Sequence, residues 1–242
     1  MKKLILDSAR SSNNDLNSPR WNLSEPLSCD EIRYNSIILP LSFDIVHSRN
    51  NKISFGTTQD IKTVSLPPGV YLPDDLAEEL TTAMNTVSSQ TYDVTYDNLS
   101  GKITVDSSTT PFKFFQNSST SQKLLGLTGD TPSSSSVTFQ NTIDLTGVKM
   151  VLVTSQNVCS NDIVVAGQES LNILACIPIN QETQTVLCSQ NYFDSDFIDT
   201  ESGLVSTIDI QLLDSETLVP LDLKGKAFTL VIDCHSSGFT DD

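Results

Sequence analysis

Short runs of Ile, Val, Leu and Phe, cut apart by clusters of Ser, Thr, Asn and Asp, recur along this chain almost from end to end. That texture constrains the fold more than any other feature. A strand needs only a few residues to cross a sheet, and its turns favour side chains that hydrogen-bond locally, so the expectation is a mainly β protein. Six runs read as strands of a main body: residues 36–43, 51–55, 148–153, 171–177, 207–213 and 227–232. Several are apolar on both faces, as when sheets pack face to face or against a neighbouring subunit, and a two-sheet sandwich is the simplest arrangement. Pro40 falls inside the first run and lacks the N–H that a central ladder uses, which makes that strand an edge or a bulged one.

One stretch breaks the β texture. Over Pro73–Val87 the residues Leu76, Leu80, Met84 and Val87 recur at helical spacing and form one apolar stripe. Pro73 suits a first helical turn, and Asp74, Asp75, Glu78 and Glu79 complement the positive end of the dipole. A strand over 61–66 precedes this helix. A hairpin follows, with strands at 92–96 and 102–105 around the turn Asp97-Asn-Leu-Ser-Gly101, and a further strand at 112–115. Together they read as a small α+β module closing at Leu124-Leu-Gly-Leu127, with the Ser-rich stretch 128–136 as the linker back to the main body.

Charge narrows the partners. The 242 residues carry 14 Lys and Arg against 30 Asp and Glu, a net −16 with a pI near 4.3. Residues 150–242 alone hold 14 acidic residues against Lys224 and Lys226. Nucleic acid is not an expected main partner, because a chain that grips phosphates uses a basic face, and Lys2, Lys3, Arg10 and Arg20 are too scattered to build one. The polar stretch from Arg10 to Arg20 reads as an arm ordered on docking or as a flexible terminus. Cys29, Cys159, Cys176, Cys188 and Cys234 form no C-x-x-C pair and are expected as reduced thiols. The opening Met-Lys-Lys-Leu-Ile-Leu-Asp7 is too short in apolar residues for a signal peptide, and no run approaches a membrane span.

Enzyme signatures are absent: there is no G-x-S-x-G, no H-E-x-x-H and no Gly-rich phosphate loop. His47 and His235 each follow a strand and read as turn or surface residues. Cys234 and His235 adjoin in sequence, yet neighbours on a strand point to opposite faces, so they do not read as a nucleophile and base. The acidic run Asp194-Ser-Asp196-Phe-Ile-Asp199-Thr-Glu201 begins with calcium-loop spacing but has Asp199 where the sharp turn needs Gly, and it reads as a solvated loop. Trp21 and the tyrosines 34, 71, 92, 96 and 192 are too scattered for a stacking platform. No catalytic residue, metal site or cofactor is expected.

Within 61–127 a more specific order stands out: Val64-Ser-Leu-Pro-Pro-Gly-Val-Tyr71, the helix motif Leu76-Ala-Glu-Glu-Leu80, the hairpin closing Ser100-Gly-Lys-Ile-Thr-Val105, then Leu124-Leu-Gly-Leu127. This order resembles the minor capsid, or penton, proteins of virophages, polinton-like viruses and related DNA viruses. Leu72 departs from the Thr or Ser common before the helix, and Leu127 replaces an aromatic residue. The resemblance implies a single jelly-roll β-sandwich, residues 1–60 and 128–242, with the strand–helix–hairpin module 61–127 inserted in a loop. It also implies a non-enzymatic virion protein, assembled in the host cell cytoplasm, that forms homopentamers at icosahedral vertices and contacts major capsid proteins. Tail and spike proteins carry similar modules, so a virion spike or fibre-type receptor- or glycan-binding module is the alternative.

Overall fold

Period-two burial defines the first strands of the computed structural model, which describes residues 1–159, 162–164, 170–191, 196–200 and 203–236. β1 (Lys2–Asp7) turns Leu4 and Leu6 inward, β2 (Arg20–Ser28) turns Trp21 and Leu27 inward, and β3 (Glu31–Pro40) buries Ile32, Tyr34, Ile37 and Leu39. The chain then enters a separate unit, residues 44–147, containing β4 (Lys52–Gly56), β5 (Ile61–Ser65), α1 (Pro73–Val87), β6 (Tyr92–Asp97), β7 (Lys102–Ser107), β8 (Lys113–Phe114), α2 (Gln122–Leu125) and β9 (Ser136–Thr138). It returns through β10 (Met150–Thr154), β11 (Asp162–Val164), β12 (Ser170–Pro178), β13 (Val186–Gln190), β14 (Ile198–Asp199), β15 (Leu204–Asp209), β16 (Gln211–Asp214) and β17 (Thr229–His235).

Residues 1–43 and 148–242 form one unit, with every strand pair antiparallel. One sheet runs β1-β17-β3-β13, with β14 also on β3; a second runs β11-β12-β10-β16, and β15 pairs β2. The run expected as one strand over 207–213 is two strands that meet at Ile210. β15 pairs with β2 before it and β16 with β10 after it, so one stretch of chain links these two sheets. The inner faces of all three sheets share one core that includes Leu6, Trp21, Leu39, Val153, Ile208 and Ile232.

Pro40 does not make β3 an edge. β3 lies between β17 and β13, and its pairing with β17 ends at Ile38, whereas Pro40 pairs with Val186 of β13. Leu41 donates its N–H to Thr185 at 2.9 Å, so by alternation the Pro40 nitrogen is turned the other way, where no ladder bond is required. The bulge of this strand is at Asn35: Ser36 faces Val231 and Tyr34 faces Ile232, and the extra residue moves the buried positions from even to odd numbers.

The second unit is wider than the stretch 61–127, because β4 pairs with β5 and β8 and therefore belongs to it. The stretch 128–136 is not a linker out of the unit, since β9 follows it and pairs with β7. Two three-stranded sheets, β5-β4-β8 and β6-β7-β9, share a core with Leu76, Ala77, Leu80 and Met84 of α1. Val87, expected in that stripe, is exposed at the last turn. The other face of α1 serves β6: Thr81 Oγ1 accepts from Val94 N at 3.0 Å, while Asn85 accepts from Tyr92 N and donates to its carbonyl. Residues 10–20 are not a free arm either. Ser12 N bonds Arg20 O at 2.6 Å, and the Asn13 side chain bonds both Ser18 O and Arg20 N, closing a loop.

Candidate interaction surfaces

The sequence motifs of the inserted unit have structural reasons. In Pro67-Pro-Gly-Val-Tyr71, Gly69 bonds Val46 in both directions at 2.9 Å, and Tyr71 donates its hydroxyl to Pro67 O at 2.7 Å, so the break is a built corner. In Leu124-Leu-Gly-Leu127, Gly126 ends α2 at φ +78°, and a Cβ there would stand 2.3 Å from Asn141 O. Among the described residues the aromatics form no exposed platform. Phe55, Tyr92, Phe112, Phe114 and Phe139 stack edge-on in a buried chain with ring centroids 4.8 to 5.5 Å apart along it.

Beside α2 the unit opens a cleft of about 890 Å³, with Lys102, Gln116, Gln122, Gln140, Asn141 and Thr142 among its lining residues. Its walls are tied by Asn141 N to Gly126 O and Asp144 N to Leu124 O, each 2.9 Å. Gln122 Oε1 is buried there without a hydrogen-bond partner.

The other feature is the outer face of the β1-β17-β3-β13 sheet. Asp233 on β17 is fully buried and gathers Arg33 Nε at 3.1 Å, Arg33 Nη2 at 3.1 Å and Asn35 Nδ2 at 2.9 Å on one oxygen; Lys3 Nζ lies 3.9 Å from the other. The Arg33 guanidinium also stacks 4.9 Å over the Phe197 ring. Away from this polar cluster the same face exposes Ile5 (71%), Ile38 (51%) and Val186 (52%) on three strands. Thus three of the exposed large hydrophobics of this unit share a single sheet face.

Neither histidine builds a site. His47 sits in a turn held by Asn50, whose Oδ1 accepts from His47 N at 2.7 Å. His235 lies 3.4 Å from a Glu31 carboxylate oxygen on the half-exposed sheet face, whereas Cys234 is turned into the core. Of the acidic run, Asp194 and Glu201 lie outside the described residues; Asp199 pairs with Glu31 as part of β14, and Asn191 reaches Asp196 at 3.5 Å. Among the described residues no group of three His, Cys, Asp or Glu side chains is placed to hold a metal, and no helix is long and apolar enough to cross a membrane.

The fold defines a class: a mainly β chain of several antiparallel sheets with one inserted helix-bearing unit. The crystal structure of the mavirus penton protein is similar over 96% of this chain and 97% of that one, with a TM-score of 0.56 at 8% identity. A chain in the cryo-EM structure of the Sputnik virophage aligns over 96% of this chain and 97% of its own, with a TM-score of 0.40 and 13% identity. No protein-family model matches the chain, and no curated protein matches it in sequence.

Proposed function

We propose that this chain is a non-enzymatic minor capsid protein, a penton subunit built on a single jelly roll. The observation that carries this reading is the end-to-end structural likeness to the mavirus penton protein. Topology supports it. Taking β15 and β16 as one strand and setting aside the accessory β11 and β14, the first unit has eight principal strands. In chain order their sheets run first-eighth-third-sixth and second-seventh-fourth-fifth, the arrangement of a double-sheet jelly roll. The inserted unit falls between the third and fourth.

In this reading five copies form a ring at an icosahedral vertex and contact major capsid proteins of the virion. A ring repeats one heterologous contact, so each subunit presents two complementary patches. The outer sheet face with Ile5, Ile38 and Val186 supplies an apolar patch for the neighbouring copy. Native mass spectrometry over a range of concentration and salt tests the assembly. Pentamers support the reading, and Ile38→Asp then shifts the population toward monomer; trimers contradict it.

The second reading, a spike or fibre-type receptor- or glycan-binding module, is favoured by the cleft beside α2, whose lining mixes amide side chains with apolar surface. It predicts binding to a defined glycan by the isolated chain, lost on Gln122→Ala and retained on Ile38→Asp.

A further inference from the structure

The cleft beside α2 is assembled from segments far apart in sequence. Lys102 opens β7, Gln116 lies in the turn after β8, Gln122 and Lys123 belong to α2, and Gln140 and Asn141 follow β9. Its walls are fixed by the fold itself. Ser121, fully buried, donates its hydroxyl to Lys52 O at 2.8 Å, and its carbonyl accepts from Leu125 N at 2.9 Å. The turn after α2 closes through Leu127 N to Gln122 O at 2.7 Å, and the segment after β9 is tied by Ile143 N to Gly101 O at 3.0 Å. At about 890 Å³ the cleft falls within the roughly 300–1,000 Å³ of small-molecule sites.

A surface cleft lined by amides most often holds solvent and nothing more. Three features set this one apart. Gln122 Oε1 is a buried acceptor without a partner, whereas the large majority of buried polar atoms have one, so a ligand seated there brings an O–H or N–H. Sulfate, an acceptor only, does not supply it. The lining also carries Lys102 and Lys123 against Asp144 alone, in a chain of net charge −16. Lys102 is half-buried and makes no ion pair among the described residues, while Asp144 Oδ1 already accepts from Thr146 N at 3.1 Å and Thr146 Oγ1 at 2.5 Å. Finally, the lining includes no aromatic ring on which a neutral sugar could stack, so affinity rests on charge and hydrogen bonds.

We infer, resting on the reading of this cleft as a glycan site, that it takes saccharides bearing a carboxylate, of the sialic or uronic acid class. Such a ligand unites the two chemistries the lining asks for, hydroxyl donors and a negative charge. Lys102 pairs with the carboxylate through a charge-assisted hydrogen bond, stronger in a half-buried setting than its neutral counterpart, and the exposed Lys123 adds to the local field. Gln122 Oε1 accepts from a sugar hydroxyl. The carboxamides of Gln116, Gln140 and Asn141 offer both donors and acceptors to the remaining hydroxyls. Gln140 Oε1 is itself held by Thr128 N at 3.2 Å, which orients that amide in advance. All of these groups lie within the inserted unit, so the site does not depend on whether a ring forms.

The test titrates the full chain by calorimetry with sialyllactose against lactose and with cellobiouronic acid against cellobiose, two pairs whose members differ by a carboxylate-bearing group. The expected result is that an acidic member binds about tenfold more tightly than its neutral counterpart, an advantage that shrinks as salt is raised. Lys102→Gln removes the advantage and leaves the weak binding common to both members. Gln122→Ala removes binding of both. Equal affinity within each pair overturns the acidic class and leaves the glycan reading of the cleft standing. Binding of none of the four overturns both together. Full affinity in both variants places the binding elsewhere and also overturns the proposal. The comparison within pairs is made on the unmutated chain, so it decides even where a variant fails to fold.

Discussion

Asp233 organises the polar side of the first sheet, because a fully buried carboxylate there joins Arg33, Asn35 and Lys3 across three strands. Removing one member leaves the others desolvated. Asp233→Ala is therefore expected to lower unfolding free energy by about 3 kcal/mol in urea titration, because it strands an Arg33 only 11% exposed. This cluster was not legible in the sequence, since Arg33 and Asp233 stand 200 positions apart. The only hint was a charge set between apolar neighbours in each strand. The buried thiols give a pH prediction. The folded chain holds the Cys159 proton to about 12 against an ordinary 9.0, and burial likewise raises Tyr34. The unfolded chain releases these protons first, so stability is full below pH 9 and falls as pH rises toward 12. Cys159→Ala should flatten that alkaline decline in urea midpoints; an unchanged slope would assign it to other groups.

At the scale of elements, the helix was the most legible part, because a 3.6-residue apolar period sustained over four turns has no strand counterpart. The structure places α1 at the same residues, Pro73–Val87. Its weak point is the start: Leu72 is the N-cap, makes no side-chain cap bond and is 69% exposed. Leu72→Ser or Leu72→Asp should raise stability by about 1 kcal/mol, read as an upward shift in the melting of the inserted unit. Gly126→Ala should do the reverse, by roughly 2 kcal/mol or more, because the new Cβ meets the Asn141 carbonyl at a positive φ. Several strands were not legible, each for a local reason. β1 begins with two lysines and reads as solvated chain. β2 dilutes Trp21, Leu23 and Leu27 with Ser, Glu and Pro, while β13 offers only Val-Leu-Cys before polar residues. β15 and β16 merged because one apolar run serves two sheets, and nothing local marks Ile210 as the crossing.

For the whole molecule, the proposed ring brings together copies that each carry a net charge of −16, so repulsion between copies opposes assembly and the contact is expected to rest on apolar area and shape more than on ion pairs. Ring stability is accordingly expected to rise with salt, measured as the pentamer fraction from low to physiological ionic strength and above. The pattern of polar turns and apolar runs made the mainly β class legible, and the ordered motifs of the inserted unit pointed to the penton type. The limits of that unit were not legible, because β4 and β9 join it through long-range pairing. The proposed assembly is a ring of five. Cryo-electron microscopy of the purified assembly tests it most directly: class averages with fivefold rotational symmetry are predicted, and threefold averages, or single copies at every concentration and salt, would contradict it.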